Sequence, residues 1–244
     1  MTNSDTITGK GTLLIAGTKV ELEVTVPTVP VRPAKMLPVF QQLTNTVVSV
    51  GMQQAEAAGA QISCTKGCGA CCRQLVPIAE SEAYLLQSLV NEMPGPRRAN
   101  VRARFAAAKV KLQAAGLLDR ILFPGELSVE ARRELGLDYF QQGIACPFLE
   151  EESCSIHPDR PLACREYLVT SPAANCAQPL AETVHCVAVP GSVAQIIRTL
   201  AATRAVNWLP LIVAIDWAAE HPDESPARPG PEWLQAVFQQ LTKS

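Results

Sequence analysis

Four cysteines fall within Cys64-Thr-Lys-Gly-Cys68-Gly-Ala-Cys71-Cys72, and a second set, Cys146, Cys154 and Cys164, follows further along. Thiolates gathered in this way suit a soft metal, because sulfur ligands select zinc, copper(I) and iron–sulfur clusters over harder ions. A disulfide framework fits less well, since the cysteine count is nine, an odd number, in a chain expected to be cytoplasmic. That expectation rests on Met1-Thr-Asn-Ser-Asp5, which has no basic segment leading into an apolar core, and on the brevity of the apolar run Trp208 to Ile215, halted at Asp216.

Adjacent Cys71 and Cys72 add a constraint. Neighbouring side chains diverge, so the pair is hard to place on one ion as a simple chelate. Two metal centres or one polynuclear cluster would use both, and otherwise one of the two is a buried apolar thiol. A surplus of thiolates over one tetrahedral ion leans toward an iron–sulfur cluster, although zinc accepts the same ligands. Cys176 could complete a set of eight, whereas Cys186, in the apolar run Val184 to Val189, reads as a core residue. Several buried thiolates need cations nearby, and Lys66, Arg73, Arg160 and Arg165 are interleaved with them. Arg160 and Arg165 are the expected charge partners, with Pro147 and Pro161 fixing loop geometry.

Helices must carry these loops. Gly11 to Val26 reads as a hairpin around Gly17-Thr18, with Val20, Leu22, Val24 and Val26 alternating against Glu21, Glu23 and Thr25. Four prolines, from Pro27 to Pro38, delay the first helix to about Leu37, and it ends near Gly59. Further helices are expected over 80–92, 96–115 and 129–142, the last capped by Ser128. A short helix from Pro161 carries Cys164 and Tyr167, and others cover 192–205, 209–220 and 232–241. The expected fold is mainly α: a helical bundle-like domain with an N-terminal β-hairpin and an irregular cysteine-rich metal-binding core. The expected divisions are a hairpin and Pro-rich connector (1–35), a helical domain with the metal site (36–220), and a linker with a C-terminal helix (221–244).

The order Cys-x3-Cys-x2-Cys-Cys, Cys146-Pro-Phe-Leu149 and Cys154-x-Ile-His-x-x-Arg-Pro-x-x-Cys164-Arg-x-Tyr167 resembles the YkgJ-type cysteine-cluster family. The resemblance spans Ser63 to Tyr167. It implies chelation of zinc or iron by Cys64, Cys68, Cys71, Cys72, Cys146, Cys154 and Cys164, with Cys176 next. Because flagellin lysine N-methylases are among the relatives, it also implies a metal-dependent protein-modifying alternative using S-adenosylmethionine. His157 stands where the family often has tyrosine, and could be a nitrogen ligand or a hydrogen-bonding residue behind the ligands.

Other functions find less support. The first loop imitates the radical S-adenosylmethionine spacing, but Ala70 replaces the usual aromatic and no alternating strand–helix pattern supplies a barrel. No Gly-rich loop follows a strand to cradle phosphate, and no catalytic residue can be named. A formal net charge of -2 supplies no field for nucleic acid or membrane. The basic helix bearing Arg97, Arg98, Arg102, Arg104, Lys109 and Lys111 leaves a protein partner open, through a metal-stapled interaction surface.

Overall fold

The computed structural model describes residues 5–65, 67–123, 127–180, 182–204 and 208–242. Strands β1 (Thr6–Ile15) and β2 (Thr18–Pro27) form an antiparallel hairpin in which Ile15 faces Thr18. Its two-residue turn places Ala16 and Gly17 at φ 44° and 79°, as a tight turn matching strand twist requires. The hairpin begins five residues earlier than Gly11, where the alternation becomes visible in sequence.

Helix α1 (Pro33–Ala57) starts before Leu37. Pro33 sits in the first turn, where a missing N–H costs nothing, and Pro38 is accommodated inside the helix. After β3 (Pro77–Ile78) come α2 (Glu80–Glu92), α3 (Gly95–Ala114), α4 (Leu118–Leu122) and α5 (Val129–Gln141). Ser128 Oγ accepts the Ala131 N–H at 3.1 Å, the cap expected from sequence. A small hairpin, β4 (Leu149–Glu150) and β5 (Ser153–Cys154), precedes α6 (Leu162–Glu166) and α7 (Val193–Leu200). The helix expected over 192–205 therefore stops early, and Ala205 lies outside the described residues.

The helix expected from Leu209 is delayed. Leu209–Pro210 forms β6, paired with β3, because Pro210 interrupts helical bonding; α8 (Ala214–Glu220) follows a short 3₁₀ turn. Helix α9 (Gly230–Leu241) ends the described chain.

Two hydrophobic clusters organise these elements. One contains Leu86, Val90, Phe105, Leu112, Leu135, Tyr139, Phe148 and Trp217, from α2, α3, α5, α8 and the loop after Cys146. The other joins the hairpin, α1, α7 and α9 through Leu22, Val26, Phe40, Val47, Ile197 and Trp233. The cysteine segments are anchored in both. Phe148, two residues past Cys146, meets Phe105 edge-on at 5.5 Å in the first cluster, while Leu162, two residues before Cys164, is fully buried in the second.

Candidate metal centre

Cys71 and Cys72 lie in a 3₁₀ turn, Ala70–Arg73, and this turn is the middle of the site. On one flank it packs against a second 3₁₀ turn, Ala173–Ala177, which carries the buried Cys176. On the other, the Cys72 carbonyl accepts the Cys146 N–H at 2.7 Å, tying the turn to the Cys146–Cys154 loop. Cys64 belongs to the first flank. Ser63 N–H donates to the Val169 carbonyl at 3.0 Å, and Val169 N–H returns a bond to Cys64 Sγ at 3.3 Å.

Close approach of the backbone requires glycine at one point. A Cβ on Gly69 would lie 2.6 Å from Glu152 Oε2, 2.7 Å from Leu149 Cδ1 and 3.1 Å from Glu152 Cα. The first cysteine loop therefore presses directly on the β4–β5 turn. Arg73 secures that contact, donating to both Glu152 carboxylate oxygens at 3.0 and 2.7 Å and to the Gly69 carbonyl at 3.0 Å. Its role is to join two loops, and Glu152 holds its guanidinium above the ordinary arginine range.

The other candidate cations divide in the same way. Arg165 is buried, and its guanidinium donates to the carbonyls of Arg160 and Pro158 and to Asn45 Oδ1, so its hydrogen bonds serve loop geometry. Arg160 is the cation closest in effect to sulfur: it lowers the thiols of Cys64, Cys71 and Cys154. Its Nε is buried without a hydrogen-bond partner among the described residues. Lys66 lies outside the described residues.

The thiols themselves are costly to ionise here. Burial raises Cys64, Cys154 and Cys176, and pushes Cys146 up to about 12; neighbouring thiols add to each. Cys164 is raised well above the ordinary range by burial, then by Cys146 and Glu82. Cys71 is raised chiefly by its hydrogen bond with Cys72 and by burial. Opposing these shifts, backbone N–H groups of Val169, Phe148 and Ile156 point at the sulfurs of Cys64, Cys146 and Cys154. Amides directed at sulfur stabilise thiolate, as does an unpartnered guanidinium N–H. This donor set fits a bound cation, which would relieve the mutual repulsion of the thiolates.

Among the described residues, no three Cys, His, Asp or Glu side chains already enclose a space fit for a metal ion. A thiol Sγ moves between staggered rotamers without backbone change. Backbone contacts bring the segments of Cys64, Cys71, Cys72, Cys146 and Cys176 together. His157 is exposed on the turn after Cys154. Cys186 corrects the sequence reading: it is exposed, paired across an isolated bridge with Val169 rather than packed in a core. Its apolar neighbours alternate in exposure, with Val187 buried and Ala188 exposed.

Two features behind the candidate ligands were missed. Glu82, 3% exposed, accepts the Leu162 N–H through one oxygen and the Ala79 N–H through the other, each at 2.8 Å. It thereby seats α6, the helix of Cys164, on α2. Tyr167 hydroxyl accepts from Gln74 at 3.1 Å and also bonds Cys176, linking both flanks of the first loop. The acidic start of α2, Glu80 and Glu82, is visible in sequence as a helix N-terminus, but its reach to Leu162 is not.

The basic helix also acquires an internal role. Arg97 donates to the Ser155 carbonyl, Arg104 to the Pro147 carbonyl and Glu150, and Lys111 to the Gln142 carbonyl, at 2.9 to 3.1 Å. Arg98 and Arg102 bond Asn91, and Lys109 bonds Asp216. The charges on α3 thus clamp the segment bearing Cys146 and Cys154 from behind.

This thiol-lined seam between helical clusters is that of a cysteine-cluster metal-chelating domain. Residues 63–186, just over half of the chain, match the CxxCxxCC family, described as a "Putative zinc- or iron-chelating domain", and the chain belongs to that family. The match runs beyond Tyr167 to include Cys176 and Cys186. No curated protein and no solved structure matches the chain. No described helix is long and apolar enough to cross a membrane.

Proposed function

We propose that this protein holds zinc or an iron–sulfur cluster through Cys64, Cys68, Cys71, Cys72, Cys146, Cys154, Cys164 and Cys176, and that the metal staples three separated segments into one fold. The observation carrying this reading is the position of the Cys71–Cys72 turn, in contact with the Cys176 turn on one side and hydrogen-bonded to Cys146 on the other. When bound, the metal supplies charge neutralisation that the surrounding arginines and amides only begin. Arg160, Val169 N–H, Phe148 N–H and Ile156 N–H would steady the thiolates, and Glu82 would hold α6 so that Cys164 faces them.

Metal binding of this kind contributes directly to folding, because the preformed ligand set does not survive in the unfolded chain. Verified removal of metal by a strong chelator should therefore lower the melting temperature substantially, and readdition should restore it. An unchanged melting curve would reject the stapling role.

A further inference from the structure

Helix α1 presents an unusual face to solvent. Between Lys35 and Glu56 it carries no charged residue. Gln41, Asn45, Ser49 and Gln53, spaced four apart and so aligned on one face, line a cavity of about 690 Å³. A solvated face is ordinarily rich in Lys and Glu, so a row of neutral amides and hydroxyls along a cavity calls for a different reason.

Strand β2 lines the same cavity with its outer edge. Thr28 N–H donates to the Asp5 carbonyl at 2.9 Å at the open end of the hairpin, so by alternation the even-numbered residues of β2 bond β1, and Lys19, Glu21 and Glu23 turn their backbone groups outward. Helix α1 runs along this edge: Gln42 Nε2 donates to the Glu23 carbonyl at 3.1 Å and Gln54 Nε2 to the Ala16 carbonyl at 3.3 Å. Lys19 and Glu21, between these two bonds, line the cavity, and the Glu21 carboxylate accepts the Thr12 hydroxyl at 2.6 Å.

Arg165 lines it as well, although only 6% exposed. A buried guanidinium ordinarily meets a carboxylate, because an uncompensated charge is costly away from water. Here its donors reach neutral oxygens alone: the Arg160 carbonyl at 3.0 Å, Asn45 Oδ1 at 3.2 Å and the Pro158 carbonyl. Among the described residues no carboxylate forms an ion pair with it. A guanidinium has five N–H donors, so these three bonds leave two uncommitted. No cysteine is among the described residues that line this cavity.

Side chains at i and i+4 recur about every 6 Å along a helix, close to the roughly 6.6 Å that two residues span in an extended chain. Each side-chain amide offers a donor and an acceptor, the complement of a peptide group. From Gln41 to Gln53 the row is about 18 Å long, the span of roughly five extended residues. We infer that the cavity binds an extended peptide segment of a partner protein, its backbone held by the amide row of α1 and one of its carboxylates seated on Arg165. Planar, two-pronged donation is the geometry in which arginine recognises a carboxylate. The inference adds a partner to the metal-binding reading and does not depend on it.

The test uses full-length protein and fluorescein-labelled seven-residue peptides in which Thr and Val alternate and one Asp is moved through every position, with matching Asn and Lys series, at about 0.15 M salt. Fluorescence anisotropy should show binding with Asp in a preferred position, weakened about tenfold when that Asp is Asn, as expected for loss of a charge-assisted hydrogen bond. Ser49 is exposed midway along the row, so its replacement disturbs no core packing. Ser49→Glu should abolish binding and Ser49→Lys should strengthen it. Arg165→Gln should remove the preference for Asp over Asn; if that variant does not fold, the Ser49 pair decides alone. Peptides that do not bind, that bind without preference for the carboxylate, or that bind both Ser49 variants equally would overturn the proposal. Displacement of the peptide by an equal concentration of acetate would reduce the cavity to a site for small acids and would overturn it too.

Discussion

Glu82 joins Leu162 across the interior: a carboxylate from the first turn of α2 accepts the first N–H of the cysteine-bearing α6 at 2.8 Å. Its second oxygen accepts the Ala79 N–H, so one buried group satisfies two helix starts. Glu166 repeats the device at the far end of α6. It accepts the Ala194 N–H at 2.9 Å and the Ser192 hydroxyl at 2.6 Å, seating α7. Arg198 of α7 faces both carboxylates electrostatically. The short helix of Cys164 is thus fixed by a buried acid at one end and a half-buried one at the other.

This arrangement predicts a pH dependence. Burial raises Glu82 to about 6 from 4.5, against the opposing effect of its two N–H donors. A carboxyl raised on folding contributes stability that is complete below about 4.5 and is lost as pH rises through 6, in total about 2 kcal/mol. Denaturant unfolding of wild type and Glu82→Gln across pH 4 to 7 should show the wild type losing roughly that much relative to the variant. A pH-independent difference would mean that Glu82 titrates normally.

Gly69 tests the contact between the cysteine loops. In Gly69→Ala, the flexible Glu152 carboxylate could swing aside, but Glu152 Cα and the Leu149 side chain would have to move. Overpacking of this kind costs about 1–3 kcal/mol. Gly95→Ala is the control, because nothing lies within 4 Å of its added Cβ. Urea midpoints should fall for the first and not for the second; equal midpoints would show that the loops do not press together.

Much of the scaffold was legible because its signals are local. Ser128 before Val129, the acidic start of Glu80–Glu92 and Gly116 after α3 each mark a helix end within a few residues. The Pro-rich stretch misled because Pro33 can open a helix as well as forbid one, and Pro210 prevented a helix that its apolar neighbours suggested. Cysteine spacing identified the chemistry, but not the flanks. Those depend on the pairing of Ser63 with Val169 and of Cys72 with Cys146, contacts that no periodicity encodes. Cys186 was misread for a related reason: an apolar run suggests burial, yet its bridge to Val169 leaves the thiol at the surface.

That exposure sets the ninth cysteine apart from the other eight, which are buried or half-buried. Cys186→Ser should leave metal content and melting temperature unchanged, whereas Cys146→Ser exchanges a soft ligand for a poor one and should release metal. Metal analysis of the two variants side by side decides the matter. Loss in Cys186→Ser with retention in Cys146→Ser would reverse the assignment of ligands.

Whether the cysteines hold metal is decided by the metal and inorganic sulfide content of full-length protein purified without oxygen. Bound metal is expected in one of two recognisable forms. Iron with matching sulfide would give a brown protein that bleaches on reduction or exposure to air, while zinc would give a colourless protein without sulfide, because a filled-shell ion has no visible charge-transfer band of that kind. A well-folded protein carrying neither iron nor zinc, with all nine thiols open to alkylation, would contradict it.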